Sequence, residues 1–137
     1  MRRLHGNSGF TLIEIMVVVF ILGLLVTLVA PKIIGRTDEA RRVKAMADIK
    51  AISEALHLFK LDNGAYPSGG EGLTALVQQS AGARNWNPDG YLDKVPVDPW
   101  GNEYVYFSDG RDFVVKSYGP DGSEGGGDNN ADISSED

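Results

Sequence analysis

The longest apolar run occupies residues 10–30, Phe-Thr-Leu-Ile-Glu-Ile-Met-Val-Val-Val-Phe-Ile-Leu-Gly-Leu-Leu-Val-Thr-Leu-Val-Ala, with Glu14 as its only charge. Its twenty-one residues make a helix of about 31 Å at about 1.5 Å each, which matches a bilayer core of about 30 Å. A helix is the form expected there, because hydrocarbon leaves no partner for an unpaired amide. Glu14 breaks the uniformity near the start. A charge inside such a span costs roughly 2.5–3.5 kcal/mol on insertion scales, so it has either a partner or a place near the headgroups. Pro31 and Gly35 follow, where a kink or local melting is expected. Periodicity then resumes: Ala45, Ile49, Ile52, Leu56 and Phe59 recur at steps of four and three and form one face. Arg41, Arg42, Lys44, Asp48, Lys50 and Glu54 lie between them as a solvated face of both signs. Asp62-Asn63-Gly64 ends the helix, with Asn63 or Gly64 as its left-handed cap. The predicted helix runs from about residue 10 to 61, roughly 78 Å in all.

Beyond it, Tyr66-Pro67-Ser68-Gly69-Gly70 reads as a loop, and Leu73, Leu76 and Val77 have the spacing of a short helix. Residues 82–98 are polar and turn-rich and predict no long element. Tyr66 and Trp86 are expected to anchor this loop to the long helix, the alternative being an aromatic binding cleft. Residues 104–107 and 112–117 are β-type runs separated by Ser108-Asp109-Gly110-Arg111, a strong hairpin signal. Trp100 is expected to cap the small sheet where it meets the helix. The fold class predicted is α+β: one long N-terminal helix, transmembrane in its first half and amphipathic in its second, packed on a small antiparallel sheet.

Composition and charge narrow the setting. The 137 residues leave room for one small domain after the apolar helix. The formal charge is −6, and loss of Arg2 and Arg3 with a leader would make it −8. Such acidity argues against nucleic acid, whose phosphates need a basic patch. Cysteine is absent, so a domain outside the cytoplasm must hold itself by packing or by a metal. Residues 1–9 are short and polar, carrying Arg2 and Arg3 without an acid, which holds that end in the cytoplasm and sends the rest across. The border after the apolar run, Thr27 to Lys32, makes a poor signal-peptidase site. The small residue at an abrupt polar-to-apolar border is Gly9.

Gly9-Phe10-Thr11-Leu12-Ile13-Glu14 resembles the leader junction of type IV pilins and of type II secretion pseudopilins. The resemblance implies a type IV pilin-like lollipop with three parts: a cleaved leader over 1–9, a transmembrane and filament-core helix over 10–30, and a periplasmic domain over 31–137. It implies that prepilin peptidase cuts between Gly9 and Phe10 and methylates the new Phe10 amine. Glu14 would then pair with the Phe10 amine of a neighbouring subunit, two opposite charges that are each costly to leave alone in an apolar core. Asp98-Pro99-Trp100-Gly101-Asn102 is typical of the major pseudopilin of type II secretion systems and not of type IV pilins at large.

The tail from Tyr118 is rich in glycine, acids and amides. By composition it is either disordered or an oxygen-rich loop, since glycines let a backbone wrap closely around a hard cation. Its spacing fails the EF-hand pattern. Gly119-Pro120-Asp121-Gly122-Ser123-Glu124-Gly125-Gly126 and Ala131-Asp132-Ile133 resemble the calcium loop of major pseudopilins. That resemblance implies calcium as cofactor, with Asp121 and Asp128 as carboxylate ligands. Asn130 stands where the family has a hydroxyl, and Tyr118, where leucine is common, offers its main-chain carbonyl. Asp132 is assigned to hydrogen bonding within the loop.

His5 and His57 have no zinc-type spacing, and no catalytic triad, phosphate loop or acid pair motivates an enzyme. The resemblance implies the major structural subunit of a periplasmic pseudopilus, held in the inner membrane by a single pass. Its partners would be copies of itself in a helical filament, minor pseudopilins, prepilin peptidase and the inner-membrane secretion platform. The alternatives are a type IV pilin of a surface fibre, or a singly anchored periplasmic calcium-binding protein.

Overall fold

The computed structural model describes residues 9–137, and the side chains of 29–35 are outside that description. The basic leader expected over 1–9 therefore lies outside the described residues, apart from Gly9. The helix α1 spans Leu12–Asn63 and is assigned without a break through Pro31 and Gly35, so the local melting expected there is not taken up. It starts two residues later than periodicity predicts because Thr11 serves as its N-cap. It ends at Gly64, whose N–H donates to the Lys60 carbonyl at 2.7 Å with φ at +86°.

The chain divides into two compact units between Thr37 and Asp38. In the first, the large apolar side chains from Phe10 to Leu28 are all exposed, between 48% and 85%. Among the described residues no helix is long and apolar enough to cross a membrane; the span expected over 10–30 reaches into residues whose side chains are not described.

The second unit holds the buried core. Ala45, Ile49, Ile52, Leu56 and Phe59 are all buried, as their spacing predicts, and Ala55 joins them. They cluster with Leu73, Ala75, Leu76, Ala83, Tyr104, Val115 and Ile133. The strands β1 (Val105–Ser108) and β2 (Phe113–Ser117) form the expected antiparallel hairpin, with Val105 opposite Lys116 and Ser108 opposite Phe113. Gly110 supplies the positive φ of the turn, +87°, and the Asp109 carboxylate accepts the N–H groups of Arg111 and Asp112 at 2.9 and 2.8 Å. A third strand, β3 (Ile133–Ser134), pairs antiparallel with the end of β2, so the sheet order is β1-β2-β3. Two residues are too few to show alternation, and β3 was not legible in the sequence.

Residues Leu73–Leu76 form a 3-10 helix and not an α-helical turn. Ser68 and Glu71 cap the turn before it reciprocally: the Ser68 N–H donates to Glu71 Oε2 at 3.0 Å and the Glu71 N–H to Ser68 Oγ at 3.3 Å. The Ser68 N–H, chief among several donors, holds the Glu71 carboxyl below its ordinary range. Tyr66 packs edge-on against Phe113 at 4.7 Å, with Lys60 Nζ 4.3 Å over its ring. Trp86 donates to the Ala75 carbonyl at 2.8 Å and reaches α1 through Tyr91, which packs on Phe59 at 5.3 Å. Both aromatics are anchors, as expected.

Two members of the supposed solvated face are engaged instead. Arg42, half-buried, donates to the carbonyls of Ala131 at 2.9 Å and Asn129 at 3.5 Å. Asp48 accepts the Tyr104 hydroxyl at 2.8 Å and Lys44 Nζ at 2.7 Å. Charge pattern alone does not reveal which part of a polar face another segment covers.

Two outcomes follow from this packing. Leu56, with no exposed surface, loses its fill in Leu56→Ala, which should cost about 2–5 kcal/mol by urea denaturation. Leu61→Ala, at a site 80% exposed, should stay within about 0.5 kcal/mol. Comparable losses in the two variants would mean that the core is placed wrongly. The second outcome concerns pH. Burial first, and then the neighbouring Asp48 carboxylate, hold the Tyr104 phenol above its ordinary range. The unfolded chain ionises near pH 10 while the fold keeps the phenol neutral, so this stabilisation is full below about pH 10 and is lost as pH rises further. Urea midpoints at pH 8 and pH 11 should therefore fall less in Tyr104→Phe than in the unmutated chain; equal falls would contradict the protected phenol.

Candidate functional site

The first site is the junction where α1 begins. Gly9 and Phe10 precede the helix in non-helical backbone, both exposed, Phe10 at 85%. The Thr11 N–H donates to Glu14 Oε2 at 3.1 Å, and the Glu14 N–H donates to Thr11 Oγ1 at 3.3 Å. This is a capping box: side chains three residues apart each satisfy a helix-end N–H that has no intrahelical acceptor. The helix dipole also favours a carboxylate at this end. Within a single chain, Glu14 is thus already partnered on the segment that follows Phe10. The Thr-x-x-Glu spacing before an apolar run is the sequence signal of this box.

The second site is the loop between β2 and β3. Tyr118 leaves the end of β2, half-buried, and Gly119 turns at φ +75° with the Ala131 carbonyl 3.3 Å from where a Cβ would stand. At Gly126, φ +105°, a Cβ would lie 2.5 Å from the Asn130 carbonyl oxygen. The first approach brings the segment holding Asn130 back beside residue 119, and the second folds Gly126 onto Asn130. The Asn130 N–H closes on the Gly127 carbonyl at 3.0 Å in a 3-10 turn, Asp128–Asn130. Asp128 heads that turn with φ +51°, the one positive φ of a residue other than glycine among the described residues. Aspartate is one of the few residues other than glycine that takes this conformation readily in a turn.

The carboxylates differ in their partners. Asp121 Oδ1 accepts the Ser123 N–H at 3.1 Å. The Asp128 main-chain carbonyl accepts the Ala131 N–H at 3.3 Å, while its carboxylate, in the exposed stretch 121–130, accepts no hydrogen bond among the described residues. Asp132 Oδ2 accepts the Gly125 N–H at 2.9 Å, the loop role expected of it, while its Oδ1 is buried without a partner among the described residues. A buried, unpartnered carboxylate oxygen is costly and is a place where a cation fits. The available donors are carboxylate, amide and main-chain oxygens, the chemistry of a hard cation. Among the described residues no three His, Cys, Asp or Glu side chains group as a metal site. The expected set contains only two carboxylates, its other members being an amide and a carbonyl. Two shallow apolar grooves elsewhere, one beside Phe107 and Phe113 and one beside His57 and Tyr66, include none of the candidate residues.

Known proteins match both parts of the chain. A family model described as type II secretion system (T2SS), protein G, matches residues 32–136, and one for the prokaryotic N-terminal methylation motif matches residues 4–30. The type II secretion system core protein G of Pseudomonas aeruginosa is 57% identical over 132 residues, covering 93% of this chain and 93% of that protein. Its counterpart from Vibrio cholerae is 43% identical over 137 residues, covering 97% and 94%. The crystal structure of the major pseudopilin from the type 2 secretion system of enterohaemorrhagic Escherichia coli superposes with a TM-score of 0.64 at 37% identity, covering 74% of this chain and 87% of that one. With its helix, its three-stranded antiparallel sheet and its methylation motif, this α+β chain belongs to the type II secretion system protein G family.

Proposed function

We propose that this chain is the major structural subunit of a type II secretion pseudopilus, a periplasmic filament whose growth drives folded proteins across the outer membrane. The observation that carries this is the apolar first unit, whose large side chains are 48–85% exposed behind a capped helix start. So much apolar surface requires lipid or other copies of itself as cover. Lipid supplies the cover first, with the helix over 10–30 crossing the inner membrane once and the domain on the periplasmic side. In the filament, neighbouring helices replace the lipid.

Prepilin peptidase hydrolyses the Gly9–Phe10 amide, and the Phe10 amine it frees stays cationic after N-methylation. Glu14 then exchanges its own Thr11 N–H for the charged amine of a neighbour, an exchange that favours the filament because a charged donor binds a carboxylate more strongly than a neutral one. Minor pseudopilins and the inner-membrane platform complete the assembly. The family is structural, and no catalytic role is assigned.

The loop over 118–133 holds calcium in this proposal, through the carboxylates of Asp121 and Asp128, the Asn130 amide oxygen and the Tyr118 carbonyl. Calcium would neutralise clustered acids and tie the loop ends together. The buried Asp132 Oδ1 supports the reading.

The mature N-terminus tests the first part. Mass spectrometry of the assembled or membrane-bound chain should give N-methyl-phenylalanine at Phe10, whereas an intact leader or a cut near Ala30 would refute the assignment. Glu14→Ala should insert and be processed but fail to assemble, as judged by filament recovery and secretion; normal filaments would rule out the ion-pair role.

Calcium is tested by melting the fragment from Lys32 onward, which holds the whole buried core, in calcium and in chelator. Free calcium at a hundred times Kd adds about 2.7 kcal/mol, roughly 10–20 °C for a domain of this size. Asp121→Ala and Asp128→Ala should each abolish the gain. Equal melting of the unmutated fragment in both conditions would remove the metal.

A further inference from the structure

The Asp98-Pro99-Trp100-Gly101-Asn102 segment is absorbed neither by filament assembly nor by the direct ligands of the loop, yet it contains the most buried acid of known surroundings. Asp98 is 3% exposed and makes no ion pair among the described residues. Its Oδ1 accepts the N–H groups of Trp100 at 3.1 Å and Asn102 at 2.8 Å. Its Oδ2 accepts the hydroxyl of Ser117, itself without exposed surface, at 2.8 Å. Ser117 Oγ in turn accepts the Gly119 N–H at 3.2 Å.

The direction of this chain is fixed by chemistry. An ionised carboxylate has no proton to give, so the single Ser117 hydroxyl proton must point at Asp98. The serine lone pairs are then left for the Gly119 N–H. That N–H belongs to the peptide between Tyr118 and Gly119, which is trans, like every peptide bond described. In a planar trans peptide the N–H and the preceding C=O point in opposite directions. Holding the Gly119 N–H on Ser117 therefore aims the Tyr118 carbonyl away from it, and that carbonyl is one of the proposed calcium ligands. The same turn supports the loop at a second point: a Cβ on Gly122 would lie 3.3 Å from Asn102 Nδ2.

We infer that Asp98 is a positioning residue for the cation loop, acting through Ser117 to orient the Tyr118–Gly119 peptide before the ion arrives. This rests on the calcium reading above. Preorganisation by an outer partner of this kind governs affinity without contact to the ion.

The test uses the mature chain in detergent micelles, labelled with 15N-glycine and titrated with calcium alone. Asp98→Asn reverses the polarity of the relay, since its amide can donate to Ser117, and Ser117→Ala deletes the relay while leaving the acid. Each should raise Kd about tenfold or more, and the double variant should show no further comparable loss, because both act on one chain of bonds. A variant that only loosened the fold would lower the calcium-free melting temperature without this affinity change. A measurement on the unmutated chain stands apart from any folding defect. In chelator, the Gly119 amide should exchange slowly with solvent while Gly125, whose donor sits in the exposed stretch, exchanges faster. If the unmutated chain binds no calcium, the calcium reading fails and takes this inference with it. If it binds, but both variants bind within a factor of two of it, or Gly119 exchanges as fast as Gly125, the inference alone is overturned.

Discussion

One apolar stripe on α1 carries the second unit. A three-stranded sheet of four, five and two residues cannot bury a core by itself, and the chain has no cysteine with which to brace it. Ile52 and Leu56, both without exposed surface, present a fixed helical surface onto which the loop aromatics and the inner residues of the sheet close. The helix is therefore a scaffold for the rest, and not merely one element among several. Its polar margin matters as well. Asp48 reaches Tyr104 just before β1, and Arg42 reaches the carbonyls just before β3, so each edge of the sheet is tied back to α1 by one charged side chain.

An acidic chain must also place its carboxylates where they are satisfied, and several here use local N–H groups. Glu14 and Glu71 close capping boxes, Asp109 closes the hairpin, and Asp98 closes its own turn. None of these four uses an ion pair among the described residues. Each acid thereby stabilises a turn or a helix end, and the buried Asp98 also escapes the desolvation cost of an unpaired charge. Asp132 departs from the pattern, with one oxygen satisfied and the other buried and unmet. Among the described residues it is the one carboxylate oxygen that is both buried and without a donor, which is why the proposed cation is placed at this loop.

How much of this was legible depended on the range of the interaction. The five-residue stripe of α1, the hairpin and its Asp-Gly turn, and the Gly64 cap were all written in spacing and turn chemistry. What stayed hidden was set by contacts far along the chain. Arg42 looks like any surface arginine until residues 129–131 fold against it. β3 exists because β2 offers an edge, not because Ile133 and Ser134 favour a strand. Asp98 reads as a turn residue, and its second oxygen acquires a role only when Ser117, nineteen positions on, arrives beside it. The Thr11–Glu14 box was local and readable, but the carboxylate's expected intermolecular task obscured its intrachain one.

The proposed second use of Glu14, beside its capping box, bears on what the residue is for. Residues 10–30 contain fifteen Leu, Ile, Phe and Val, together worth about 4–9 kcal/mol toward membrane insertion on a scale of about 0.3–0.6 each. One acid costs roughly 2.5–3.5 kcal/mol at a helix centre and less near an end, where the capping box also shares its charge. On the proposed reading the apolar residues therefore secure the anchor with or without Glu14, and the acid opposes insertion only weakly. Its value cannot lie in holding the chain in the membrane. Hydrophobic contact between helices is also indifferent to axial position, since one turn of Leu and Val packs much like the next. A lone carboxylate that exchanges a backbone N–H for a charged amine is specific to a single register. On the proposed reading the apolar run supplies cohesion, and the acid supplies the address at which each new subunit stops.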